Sequence, residues 1–465
     1  MELDPAHPYL SGVFAPVAEE RTADRLQVIS GDVPRDLHGT FVRNGPNPKH
    51  PPRGRYHWFD GDGMLHAVRF GDGAASYRNR FVATEHLARE EEAGRALWTG
   101  LMEPFTNNPR GAPYKDSANT DVIYHGGKLY ALWYICGRPY QVDLETLATV
   151  GATDFGAGAP LRISAHAKVD TRTGELLFFD YGPRPPYLRY GVVDAAGRLE
   201  RHIEIDVPGP RLPHDMAITE NHSILMDLPL FPGARAAAEA RWAVEMHRDL
   251  PSRFAVIPRH GTAADVRWFE AAPCYIYHTV NAWEEGRSIV MVACRVDDPL
   301  PAADPRDGTW ARMMANLRIT ARLHRWRFDL DTGATTEEPL DDRNAEFPTI
   351  DARLLGRPAR HGYHQLIAAA PTLRFEGLAR YDLASGACES VSYGPGRCGS
   401  EAPFAPRDGS TGETDGYLVS FVHDERERRS EVVVHDAAAL AAGPVCRLAL
   451  PGRVPLGFHA CWIRA

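Results

Sequence analysis

Short apolar runs of strand length recur along the chain, separated by polar turn residues. "GKLYALWYI" (127–135), "GELLFFDYG" (174–182), "SILMDLPL" (223–230), "SIVMVACRV" (288–296), "GYLVSFVHD" (416–424) and "EVVVHDA" (431–437) are rich in Val, Ile, Leu, Phe and Tyr. Runs of this length and composition predict β-strands. Between them an Asp-x-x-x-Gly turn repeats: "DTRTG" at Asp170, "DLDTG" at Asp329 and "DLASG" at Asp382, with a shorter "DAAG" at Asp194. In such turns the Asp side chain caps its own loop and the Gly supplies a positive φ. Many short strands joined by hairpins predict an antiparallel all-β fold. A β-propeller fits so many hairpins into one unit while leaving only short edges exposed. Two stretches break the pattern. "GARAAAEARWAVEMHRDL", Gly233 to Leu250, is Ala- and Glu-rich and predicts a helix. "EHLAREEEAGRALW" at Glu85 is a second helical signal, and both predict insertions over a β scaffold.

Composition narrows the function. The 465 residues are 44% hydrophobic and 24% charged, with a net charge of −9, an ordinary globular balance. The longest charge run, "DERERR" at Asp424, mixes both signs, which argues against nucleic acid as a partner. Seven cysteines without a C-x-x-C pair argue against both a disulfide framework and a zinc-thiolate site. No apolar stretch approaches the ~18 residues of a membrane span, and the first residues show no apolar signal segment. A single domain over 1–465 in a reducing cytoplasm is therefore expected, as a monomer or homodimer.

Of the 20 histidines, most lie in polar or turn contexts. Four do not: His166 in "RISAHAKVD", His214 in "RLPHDMAIT", His278 in "CYIYHTVNAW" and His459 in "PLGFHACW". Each lies in or at the end of a strand-like stretch. Any one of them alone reads as a satisfied core histidine. Four in separated strands raise a second reading, because a propeller brings successive inner strands to one axis. Converging neutral imidazoles suit Fe, Cu, Ni or Zn, and ligating histidines pass their second N–H to a carboxylate or carbonyl. Glu346 in "NAEFPTI" and Glu401 in "GSEAPFAP" are carboxylates in apolar context that could serve, or could be loop residues.

Beyond these residues, the chain resembles the carotenoid cleavage oxygenase family over nearly its whole length. The matching segments, in order, are "GTFVRNGPNP" at Gly39, "HWFDGDGMLHAV" at His57, "ANT" at Ala118, "SAHAKVDTRTGEL" at Ser164, "PHDMAIT" at Pro213, "HTVNAWEE" at His278, "EFPTID" at Glu346 and "PLGFHACW" at Pro455. The likeness is nearest to the bacterial lignostilbene-type branch. It implies a seven-bladed β-propeller with a helical and loop cap, and a non-heme Fe(II) held by His166, His214, His278 and His459. It implies Glu346 and Glu401 as outer partners of those histidines, and Thr120 beside the remaining metal position.

Two departures stand out. A third outer glutamate of the family maps to Tyr134 or Ile135, neither a carboxylate, so His214 or His278 would be oriented by another group. The Lys and Tyr that anchor a substrate phenol in the lignostilbene branch map to Trp133 and Leu101, while the aromatic Phe59 is kept. The resemblance thus implies an iron dioxygenase that splits the C=C bond of a small apolar stilbenoid or phenylpropenoid with O2 into two aldehydes. An apocarotenoid substrate, or a non-catalytic carrier of an apolar ligand on the same fold, are the alternatives.

Overall fold

The computed structural model describes residues 6–465. The six apolar runs form strands: Lys128–Leu132, Leu176–Tyr181, His222–Asp227, Ser288–Val296, Gly416–Asp424 and Arg429–Asp436. The first five are each the second strand outward from the axis in their sheet. With a neighbouring strand on either side and a packed sheet on either face, they are apolar without alternation.

Among the described residues, seven sheets of four to six strands form the blades of a seven-bladed β-propeller. The axial ends of the blades are built by Asp121–His125, Lys168–Val169, Ala217–Ile218, Tyr275–Glu285, Ala345–Thr349, Phe404–Pro406 and Ala460–Arg464. Two strand exchanges close the ring. Ala460–Arg464 pairs antiparallel with Gly39–Arg43 and gives the first blade its inner strand. Gln27–Gly31 pairs with Pro444–Ala449 at the outer edge of the last blade. The hydrophobic core lies between blades. Met291, Trp326 and Phe328 pack against Phe254 and Phe269 of the preceding blade, and Phe41 and Phe70 pack against Val432 and Leu448 across the closure.

The repeated turns form as predicted. In "DLASG" the Asp382 carboxylate accepts from the Ala384 and Ser385 N–H groups, and Gly386 takes φ 75°. The helix predicted over 233–250 is mostly absent. Only Ala234–Glu239 is helical, and Val244–Met246 is a strand paired with Leu230–Pro232. Ala240 turns to φ 46° and its carbonyl accepts from Phe105 N–H. Trp242 and Val244 pack against buried residues, and that tertiary packing overrides an Ala-rich propensity worth tenths of a kcal/mol per residue. The second helical signal is a true helix, Glu85–Ala93, capped by Thr84 and ended at Gly94 in the left-handed region. These insertions, with the helix Ala311–Asn316, form the cap. No helix among the described residues is long and apolar enough to cross a membrane. All seven cysteines are free.

Candidate active site

Each of the seven axial strands carries one residue to a common site. Thr120 precedes Asp121–His125, His166 precedes Lys168–Val169, and His214 precedes Ala217–Ile218. His278 and Glu346 lie within their strands. Glu401 precedes Phe404–Pro406, and His459 precedes Ala460–Arg464. Local backbone distortions aim several of them. His166 sits at φ 64° and Phe347, beside Glu346, at φ 52°, left-handed positions that a non-glycine residue occupies at a cost of roughly 1–3 kcal/mol. Bulges shift the register between Ile276 and Thr279 and between Glu346 and Thr349. An extra residue re-aims side chains that would otherwise alternate, so Tyr277 and His278 both line one cavity.

The four imidazoles converge. One ring nitrogen each of His166, His214 and His278 lies within 4.8 Å of the others. The His459 ring is 4.4 Å from that of His166 and 4.6 Å from that of His278, centre to centre. All four are buried. The Nε2 atoms of His166 and His278 are buried and have no hydrogen-bond partner among the described residues. An orphan buried nitrogen is costly unless something occupies its lone pair. Burial pushes His166, His214 and His278 below the ordinary histidine range, which keeps them neutral. At His459 burial acts in the same sense, but the Glu401 carboxylate outweighs it and raises the ring. Buried neutral imidazoles with free lone pairs are the donor set a borderline transition metal takes, so the residues present fit the metal that the resemblance implies.

The outer partners are specific. His278 Nδ1 lies 2.5 Å from Glu346 Oε2, and the same oxygen accepts from Phe347 N–H. Burial pushes the Glu346 carboxyl well above its usual range. His459 Nδ1 is 3.0 Å from Glu401 Oε1, while Glu401 Oε2 accepts from Ala460 N–H. Among the described residues His214 has no carboxylate partner. The Tyr134 ring packs on it, 4.7 Å between centres and tilted, and Tyr277 meets it edge-on at 5.2 Å. Of the two histidines left open by the sequence, His214 is therefore the one without a glutamate, and Tyr134 is the residue beside it.

Sequence reasoning missed Asp121. Its Oδ2 accepts from His166 N–H at 3.1 Å and lies 3.3 Å from His166 Nδ1. The signal was present as the acidic first residue of the apolar run "DVIY", next to Thr120. Tyr277 was missed because strict alternation hides one of two adjacent residues, and the bulge exposes both.

A cavity of about 460 Å³ opens onto His214, His278 and His459. Its walls near them are Phe59, Thr120, Tyr134, Tyr277, Phe347 and Phe458. Phe347 stacks on His459 at 4.7 Å and 12°. Thr120 Oγ1 donates to Asn119 Oδ1 and accepts from Tyr134 N–H, which leaves its methyl as the uncommitted part of the side chain. Phe59 and Leu101 are held by one carboxylate: Asp60 accepts from His57 N–H and from Leu101 N–H. Burial pushes Asp60 up to about 7, although those two N–H groups pull it down. A Cβ on Gly100 would meet Asp60 Oδ2 at 1.8 Å, so a side chain there would displace that carboxylate. Leu101 lines the cavity as expected, but Trp133 does not. Trp133 lines a separate small pocket with Asp62, Glu90 and Lys115 and faces Tyr114. Where the chain leaves Lys128–Leu132, consecutive side chains diverge, and Tyr134 takes the cavity side.

Comparison with known proteins agrees with this architecture. The family profile described as "Retinal pigment epithelial membrane protein" matches residues 14–464. A carotenoid 9,10(9',10')-cleavage dioxygenase of Crocus sativus is 36% identical over 99% of this chain and 89% of its own length. The isoeugenol monooxygenase of Pseudomonas nitroreducens is 31% identical over 98% of both. The crystal structure of Pseudomonas brassicacearum lignostilbene dioxygenase superposes with a TM-score of 0.89 at 32% identity, covering 99% of each chain. A Synechocystis apocarotenoid oxygenase, solved with cobalt substituted, superposes at 0.84 with 26% identity over 97% of each chain. With the profile matched almost end to end and relatives above 30% identity over nearly the full chain, this protein belongs to the retinal pigment epithelial membrane protein family, that of the carotenoid cleavage oxygenases, and is an enzyme of the dioxygenase type.

Proposed function

We propose that His166, His214, His278 and His459 bind one Fe(II) and that the protein cleaves a conjugated alkene with O2. The observation that carries this reading is the pair of orphan Nε2 atoms among four converging imidazoles at the inner end of an aromatic cavity. Iron, when bound, supplies the O2 chemistry that no side chain here could. The overall change is balanced without a reductant: the C=C bond breaks, each carbon takes one oxygen atom of O2, and two carbonyl products form.

The chain's own residues bind and exclude. Phe59, Phe347 and Phe458 supply aromatic walls at the histidines. A preformed pocket of this kind holds a flat alkene by its flanking rings and sheds water. Glu346 and Glu401 fix the ring orientation and tautomer of His278 and His459. No pair of titratable groups is needed, because no proton moves.

A stilbenoid or phenylpropenoid fits these short aromatic walls, and relatives named for lignostilbene and isoeugenol support it. The 36% identity to a carotenoid-cleaving relative favours an apocarotenoid as the second reading. The test is anaerobic reconstitution with Fe(II), then product mass spectrometry under 18O2 on stilbenoids and apocarotenoids. Paired carbonyl products labelled in both halves support the reading. Ligand bound and released unchanged by iron-loaded protein refutes it in favour of a carrier.

A further inference from the structure

The cavity has two unlike ends. The inner end holds the histidines and aromatic rings. Three arginines line the outer part: Arg235 and Arg241, within and just after the helix Ala234–Glu239, and Arg312 on the helix Ala311–Asn316. Arg312 and Asn316 are four residues apart, hence on one helix face, and both line the cavity. Arg312 is exposed and the Arg235 side chain is 47% exposed, which places them at the solvent opening.

Few acids balance these charges. Glu239 pairs with both Arg235 and Arg241, and their two guanidinium groups hold its carboxyl below the usual range. Glu245 also lines the cavity. Arg312 makes no hydrogen bond or ion pair among the described residues. Glu103, itself paired with Arg55, also interacts with Arg241; counting that pair, four guanidinium groups meet three carboxylates around the opening, a local excess of one positive charge in a chain of net charge −9. A wholly apolar alkene has no use for that excess. A guanidinium presents a planar fork of donors that matches a carboxylate, and one excess positive charge matches a monoanion better than a phosphate dianion.

We propose that the substrate is a conjugated alkene that ends in a carboxylate, with Arg312 as the residue that meets this group while the alkene reaches toward the histidines. The inference rests on the cleavage reading above only for which bond is cut.

The test compares trans-stilbene-4-carboxylate with its methyl ester, and an apocarotenoic acid with its methyl ester, as two arms. The acid-to-ester ratio is read as kcat/KM on iron-loaded enzyme. It is also read as Kd under anaerobic conditions, by quenching of tryptophan fluorescence with Trp242 in the wall as reporter. The acid should be preferred by roughly tenfold, the worth of a charge-assisted hydrogen-bonded pair. That preference should shrink as salt rises from about 50 to 500 mM, because an interaction at the rim is screened. Arg312→Ala should remove most of the preference and Arg312→Glu should reverse it. Arg306→Ala, at an exposed arginine paired with Asp304 outside the cavity, should leave the ratio unchanged. A wild-type ratio near one, or a ratio indifferent to Arg312, overturns the proposal. A protein that binds the acid preferentially through Arg312 but cleaves neither substrate supports it and counts against the cleavage reading instead.

Discussion

Replacing Glu346 by Gln isolates the carboxylate's part in the histidine site. The side chain is fully buried and the substitution conserves its volume, so the blades should pack unchanged. What changes is the bond to His278. A metal cation on the histidines would oppose the burial and favour the ionised carboxylate; a hydrogen bond to such a charged acceptor is worth about 1.5–3 kcal/mol and a neutral one about 1. Of the two oxygens, Oε2 serves both His278 Nδ1 and Phe347 N–H, while Oε1 has no partner among the described residues. If the Gln carbonyl keeps the two donors, its NH2 falls where no acceptor waits, at a further cost of about 1 kcal/mol. The sum is about 2 kcal/mol, or roughly 30-fold in metal affinity at 1.36 kcal/mol per decade, within the ~10–100-fold usual for an outer partner of a ligating histidine. The assay is iron retained per chain after dialysis against a graded chelator, with kcat/KM on the same samples and the Tm of metal-free protein as control. Tyr134→Phe supplies the contrast. Tyr134 packs on His214 through its ring, which Phe retains, so the effect should stay within a few-fold. A Glu346→Gln protein that holds iron and turns over within twofold of wild type would refute the reasoning. Equal damage from Tyr134→Phe would show that the phenol has taken over a carboxylate's work.

Three other outcomes are expected. His459→Ala should abolish iron binding and activity, and iron should raise the Tm of wild type but not of the variant, because a ligand of the folded state stabilises by mass action; this is read by metal analysis and a thermal scan. Discrimination between 4-hydroxystilbene and its methyl ether should be roughly tenfold or less, as in a pocket without a dedicated phenol partner, and Trp133→Lys should not sharpen it, since Trp133 faces the small adjoining pocket; kcat/KM ratios decide. Glu431 is fully buried and bonded to Arg397, Arg429 and Arg447; burial alone would raise its carboxyl, but these partners bring it from 4.5 to about 2. Its stabilisation is thus present above pH 4.5 and lost as pH falls toward 2. Glu431→Gln should lower stability at pH 7 by about 3 kcal/mol, the cost of stranding buried partners, and the gap to wild type should close in acid unfolding curves.

The blades were legible and the axis was not. Leu176–Tyr181 and Ser288–Val296 announce themselves because strands covered on both faces must be apolar throughout. Two of the axial strands beside the histidines give no such signal, although Tyr275–Glu285, which carries His278, is long and apolar. Lys168–Val169 and Ala217–Ile218 are two residues long, too short for any period, and His166 at φ 64° belongs to no regular element. Residue chemistry raised convergence of four histidines as one reading among two, and only the family likeness singled them out as ligands. Trp133 against Tyr134 is an error of parity: one residue of slip exchanges the two sides of a strand. The Gly233–Leu250 helix failed for a different reason, since Trp242 and Val244 are committed to packing that propensity does not encode.

The placement of His459 joins the site to the closure of the ring. Its carbonyl accepts from Asn44 N–H, its N–H donates to Thr120 carbonyl oxygen, and its imidazole bonds to Glu401. Three blades meet on this one residue: the first through Asn44, the second through Thr120 and the last through Glu401. The strand that follows, Ala460–Arg464, completes the first blade by pairing with Gly39–Arg43. The seam of this propeller lies where strands from its two chain ends pair, within the first and last blades, because hydrogen bonds and packing alone hold those pairs. A metal bound by His459 together with His166, His214 and His278 would tie that seam to three further blades. Binding energy spent on four ligands drawn from four separate blades becomes folding energy for the ring. An imidazole buried in the apolar segment "PLGFHACW" then follows from geometry, since the residue that closes the ring is also one that reaches its axis.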